Sequence, residues 1–129
     1  MNILLAFIVV TVPACQKKAA HVPQPLVFAS VNSTEMFSCK SHGHPIKSCV
    51  WGYNVNGTRQ SIIVDQQLID NGGWTTVDGV SFYGHGDDLE AGKCAISIEP
   101  VTENDAWLWS CTLVSQNSTI FRGAVHVGT

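Results

Sequence analysis

Cysteine, histidine and a few asparagines are the residues here whose types and spacing could do chemistry. Cys39, Cys49, Cys94 and Cys111 lie in the body of the chain, and Cys15 sits near its start. None of the four is paired as Cys-x-x-Cys, the usual seat of two zinc ligands. An even number behind an apolar leader reads as two disulfides, with three possible connectivities. His42 and His44 flank Gly43, a spacing that lets two imidazoles share a metal, but no third ligand falls in step with them. His85, Asp87 and Asp88 form a polar loop without the spaced oxygen ligands of a calcium-binding hand. No metal and no cofactor is expected.

Catalysis finds no footing either. The sequence has no Gly-x-Ser-x-Gly elbow, no His-Glu-x-x-His and no glycine-rich phosphate cradle. Oxidised cysteines supply no thiolate nucleophile. Three Asn-x-Ser/Thr sequons, at Asn32, Asn56 and Asn117, point instead to sugar attachment in an oxidising compartment. The net charge is −3, from seven basic and ten acidic residues, and the longest basic run is Lys17-Lys18. That balance argues against a nucleic-acid surface.

What must position these residues is a short chain of 129 residues, a length that suits one domain. Its first stretch, Ile3 to Val12, is uncharged and apolar, then meets Pro13, Ala14 and the polar Gln16-Lys17-Lys18. The run is too short to span a bilayer and has the form of a secretory leader, residues 1–20, cleaved near 14–20. A rival reading makes Cys15 of "VPAC" a lipid-modified residue. Residues 21–129 then form the single domain, with no further apolar segment to cross a membrane.

Helical periodicity is not sustained anywhere, whereas short β-rich runs recur between turn residues. The runs are 26–31, 35–40, 48–54, 60–66, 79–84, 93–101, 106–115 and 120–127, with a turn at 71–74. Side chains alternate across a strand, so the more apolar set marks the buried face. That places Phe37 with Cys39, Cys49 with Trp51 and Tyr53, Cys94 with Ile96 and Ile98, and Trp107 with Trp109, Cys111 and Leu113. All four cysteines therefore aim at one core. Eight or nine strands of this kind predict an antiparallel two-sheet sandwich or a barrel.

Cys39, Trp51 twelve residues on, and "DAWLWSC" ending at Cys111 together resemble the immunoglobulin fold, over roughly residues 25–127. In that family the cysteines of strands B and F bridge the sheets, a strand-C tryptophan packs on the bridge, and Asp-x-Gly-x-Tyr-x-Cys leads into strand F. The resemblance implies a Cys39–Cys111 bridge with Trp51 on it, and gives Asp105 the place of the family's aspartate. Trp109 stands where the family has tyrosine and Trp107 where it has glycine. Arg59 and Lys93 are the candidate ion-pair donors to Asp105. The long span between Cys39 and Cys111 implies the variable type. In that frame strands C and E start at one end on opposite sheets, so Cys49 and Cys94 are expected to form a second bridge. Invertebrate secreted and cell-surface immunoglobulin domains are similar in carrying such an extra pair.

The resemblance implies a non-catalytic module for protein recognition, of adhesion, immune or ligand-binding type, secreted and glycosylated. Two alternatives stand beside it: a fragment of a longer receptor of the same family, and a metal protein or enzyme of unrelated fold. Asn117 is expected at one tip, in the F–G loop, and Asn32 and Asn56 at the other. Sugars at both tips leave the broad face of strands G, F, C and C′ open. Val50, Leu108 and Ser110 are expected to point outward on it, with Phe121 and Arg122 as an anchor at the rim. The expected partner is another protein, or a second copy meeting the same face.

Overall fold

The computed structural model describes residues 17–55, 57–77, 80–86, 88–101 and 108–128. Residues 1–16 of the expected leader, Asn56, Asp105 and Trp107 lie outside them, while residues 17–20 of that leader are described. The described chain forms ten strands: β1 (Lys17–Ala19), β2 (Leu26–Phe28), β3 (Glu35–Lys40), β4 (Ile46–Val55), β5 (Thr58–Val64), β6 (Trp74–Val77), β7 (Val80–His85), β8 (Lys93–Glu99), β9 (Leu108–Ser115) and β10 (Ile120–Gly128). A single helical turn, α1 (Gln66–Asp70), joins β5 to β6.

Two sheets pack face to face. One runs β1-β10-β9-β4-β5, with β2 also paired to β10; the other runs β3-β8-β7-β6. In the variable-type frame β3, β4, β5, β7, β8, β9 and β10 occupy the places of strands B, C, C′, D, E, F and G. The expected inward phase holds wherever it can be followed. Phe37, Cys39, Cys49, Trp51, Tyr53, Cys94, Ile96, Ile98, Trp109, Cys111 and Leu113 are all buried.

Trp109 is the hub of this core. Its ring stacks on Tyr53 with centroids 4.0 Å apart and planes 16° apart, and meets the Phe37 ring edge-on at 5.2 Å. Phe37 in turn stands edge-on to Trp51. Offset stacks and edge contacts of this kind add to the burial of large apolar area. Among the described residues the buried indole N–H of Trp51 has no hydrogen-bond partner.

Two disulfides cross between the sheets. Cys39–Cys111 joins β3 to β9, and Cys49–Cys94 joins β4 to β8, with Cα separations of 6.6 and 6.5 Å. Cys39 and Cys94 are register partners in one sheet, so the bridges stand side by side.

Several elements depart from the strand pattern expected from sequence. The run 60–66 ends at Val64, because the Asp65 carboxylate accepts the Leu68 N–H at 3.0 Å and caps α1. The expected turn at 71–74 is followed at once by β6, which pairs with β7 and not with β5. The first run shortens to β2, parallel to β10. A further strand, β1, also runs parallel to β10, with Lys17 opposite Ile120 and Ala19 opposite Arg122. Beyond it, His21 pairs with Lys40 of the other sheet through two 2.8 Å backbone hydrogen bonds. The segment then packs on the core: a Cβ on Gly123 would meet Val22 Cγ2 at 2.8 Å and Cys111 Sγ at 3.1 Å.

Candidate functional site

The outer face of the larger sheet follows from the same alternation that builds the core. With Cys49, Trp51 and Tyr53 turned inward, Val50 and Gly52 face out on β4. Register then fixes their neighbours. Val50 stands between Ile63 of β5 and Thr112 of β9, and Thr112 stands next to Arg122 of β10. In the adjoining row Gly52 lies between Ser61 and Ser110, and Ser110 beside Ala124. A third row carries Leu108, His126 and Leu26 across β9, β10 and β2.

Ile63, Leu108 and Leu26 are 54%, 48% and 57% exposed, although all three are aliphatic. Val50 is half-buried and Arg122 is exposed. The expected Val50, Leu108, Ser110 and Arg122 thus share one face. Phe121 does not, and this corrects the expected anchor. It is buried, in phase with Val125 and Val127, and the rings of His42 and His44 lie 6.0 and 5.5 Å from it. Neighbours on a strand point to opposite sides, so Phe121 and Arg122 cannot both face outward.

Arg59 is the face residue that sequence reasoning missed. Its side chain leaves β5, crosses β4 above Gly52 and donates from Nη2 to Ser110 Oγ at 2.8 Å on β9. A Cβ on Gly52 would run into the guanidinium, so the glycine is what allows the crossing. A glycine inside a strand signals such a close approach, and Gly52 was the clue available in the sequence. The hydroxyl of Ser110 is oriented by this contact and by the Gly52 carbonyl at 3.4 Å. Of the two candidate donors to Asp105, Arg59 is engaged here and Lys93 lies 3.9 Å from Asp88.

The other candidate clusters do not converge. His42 Nε2 lies 3.0 Å from the Ala19 carbonyl. His85 Nε2 lies 2.6 Å from Ser97 Oγ on the outer face of the second sheet. Among the described residues no three His, Cys, Asp or Glu side chains are grouped to hold a metal. Asp87 lies outside them.

Asn32 and Asn117 stand at opposite ends of the sandwich. Asn32 is exposed in the β2–β3 turn, where its N–H reaches the Val101 carbonyl. Asn117 is exposed in the β9–β10 turn, its Oδ1 taking the Ser115 hydroxyl and the Thr119 N–H.

Two sheets in this order, bridged from β3 to β9 over a β4 tryptophan, define an immunoglobulin-like sandwich of the variable type. Among solved structures 480 chains match the fold. One is a crystal structure of a chicken TCR, which superposes with a TM-score of 0.61 at 12% identity, over 84% of this chain and 54% of that one. This chain thus spans about half the length of that solved chain. No protein-family profile matches the sequence, and no curated protein does. At that identity the likeness is one of fold.

Proposed function

We propose that this protein is a secreted, glycosylated recognition module that binds another protein through the outer face of β5, β4, β9 and β10. The observation that carries the reading is the exposure of Ile63 and Leu108 on a sheet face where solvent favours polar side chains. Between them Arg59 and Arg122 supply the residue type enriched at interface hot spots. A sheet pinned by two bridges presents that face with little reorganisation on binding, which lowers the entropic cost of association.

Further support comes from the two disulfides, which suit an oxidising compartment, and from the exposed sequon asparagines Asn32 and Asn117 at the two ends. Glycans there leave the sheet face uncovered. Among the described residues no helix is long and apolar enough to cross a membrane. The fold itself is one that serves binding and not chemistry in most of its settings.

The test is an interaction screen against extracellular proteins using the intact oxidised glycoprotein. A partner that uses this face is lost with Leu108→Asp and with Ile63→Asp. A partner that survives both substitutions binds elsewhere, at the loops or on the second sheet.

A further inference from the structure

Charge is divided unevenly between the two halves of this sandwich. The six strands of the larger sheet carry Lys17, Lys18, Lys47, Arg59 and Arg122, five of the seven basic residues. None of the ten acidic residues falls within them. The chain is acidic as a whole, with a net charge of −3, yet this sheet is basic.

On the outward face that asymmetry is focused by Arg59. Its guanidinium is held over Gly52, between β5 and β9, by the 2.8 Å hydrogen bond to Ser110. That contact uses one of five N–H donors. Among the described residues no carboxylate is within ion-pair distance of it. Arg122 lies one strand beyond Ser110 and one row along, beside Thr112. Aliphatic side chains stand in the rows on either side of the guanidinium: Val50 and Ile63 in one, Leu108 in the other. Apolar groups flanking an arginine shield its charged contact from water once a partner covers the face, and that strengthens the contact.

We infer that this face receives an acidic protein partner, and that one of its carboxylates takes the Arg59 guanidinium as a forked, charge-assisted pair. The inference rests on the face being the binding surface proposed above and adds the chemistry of the partner. A second copy meeting the same face fits poorly. Two-fold pairing would bring the Arg59 and Arg122 of both copies into one interface, with no acid in the strands of either face to offset the repulsion. A sulfated polysaccharide fits less well than a protein. Such a polyanion needs clustered cations and no apolar contact, whereas here two arginines are interspersed with Val50, Ile63 and Leu108, on a chain of net negative charge.

The experiment pans short random displayed peptides on the intact oxidised protein and measures the affinity of those recovered. Binders are expected to carry Asp or Glu among aliphatic residues. Arg59→Ala weakens them by about tenfold or more, and Arg59→Lys, which keeps the charge and loses the fork, weakens them less. Exchanging the peptide acid for lysine restores binding to Arg59→Glu. Circular dichroism of each variant controls for folding, and Gly52→Ala, which displaces the guanidinium while retaining Arg59, gives an independent loss of affinity. Binders lost with Leu108→Asp but indifferent to Arg59→Glu would keep the face and overturn the acidic partner. Binders indifferent to Leu108→Asp, Ile63→Asp and Arg59→Glu would overturn the face reading as well. Two other results overturn the inference: heparin retention at physiological ionic strength that Arg59→Glu abolishes, and a concentration-dependent dimer that the same substitution breaks.

Discussion

Cys39 of β3 and Cys94 of β8 stand opposite each other as register partners in one sheet, yet each is bonded across the sandwich, to Cys111 and to Cys49. Inward-facing neighbours thus bridge the layers instead of each other. Non-reducing peptide maps are expected to recover Cys39–Cys111 and Cys49–Cys94, and no Cys39–Cys94 peptide. The bridges enclose sequence separations of 72 and 45 residues, and closing either loop alone restricts the unfolded chain by roughly 4 kcal/mol. With one bridge present, the other closes the same shorter circuit, Cys39 to Cys49 and Cys94 to Cys111, whichever is added last. Replacing either pair by alanine therefore costs about 3–4 kcal/mol, and the two variants differ by less than about 1 kcal/mol. Denaturant titration of both variants checks this. A penalty several-fold larger for one pair would place the stabilisation in native packing and not in loop closure.

Trp109 carries a second prediction. It has no exposed surface and contacts Tyr53, Phe37 and Phe82. Trp109→Ala opens a cavity at the centre of this aromatic cluster and costs about 3–5 kcal/mol. Trp109→Phe keeps a ring plane against Tyr53 and costs less. Equilibrium unfolding of the oxidised proteins measures both. A loss under about 1 kcal/mol for the alanine variant would mean that the core does not depend on this hub.

Phase was the legible part of this protein, and pairing was not. The alternation of Cys49, Trp51 and Tyr53, and of Trp109, Cys111 and Leu113, is a local property of a strand and marks the buried face without further information. β6 shows the limit. "WTTV" carries a strand signal, but whether it pairs with β5 or β7 depends on residues distant in sequence. β1 was hidden because Lys17–Ala19 lies inside the expected leader and is a strand only beside β10. α1 is five residues long, too short for helical periodicity, and only the Asp65 cap could have announced it. Phe121 is different. Its inward direction followed from Arg122 pointing outward, and the alternation rule was sufficient to exclude it from the face.

The contacts of β1 bear on where the proposed leader ends. A leader ending at Ala20 would remove β1 together with the Ala20 N–H that donates to the Arg122 carbonyl at 2.8 Å. It would also thin the cover that Ala20 and Val22 form over Gly123 and Cys111. A leader ending at Ala14 or Cys15 keeps all of these contacts. The mature protein is therefore expected to begin at Cys15 or Gln16, as read by N-terminal sequencing of secreted material. A chain beginning at His21 should unfold about 1–3 kcal/mol more easily than one beginning at Gln16, for the loss of a few backbone hydrogen bonds and apolar contacts.

Two glycines separate the demands of binding from those of folding. Both sit inside strands and both let another side chain approach closely, but from opposite faces of the sandwich walls. At Gly84 of β7 a Cβ would meet Val64 Cγ2 and Leu68 Cδ2 at 2.9 Å, inside the core where β5 and α1 close on the second sheet. Val64 is fully buried and Leu68 packs against the core, so Gly84→Ala is an overpacking change and costs about 1–3 kcal/mol. At Gly52 of β4 a Cβ would meet the far end of the Arg59 side chain, which is exposed and can swing into solvent. The variant loses one surface hydrogen bond and gains the lower backbone entropy of alanine in a strand. Gly52→Ala should leave stability within about 1 kcal/mol of the parent while detaching Arg59 from Ser110. Denaturant unfolding of the two variants, side by side, reads the contrast. Comparable destabilisation at both positions would mean that the Arg59–Ser110 crossing is part of what holds β4, β5 and β9 together, and not a feature confined to the face.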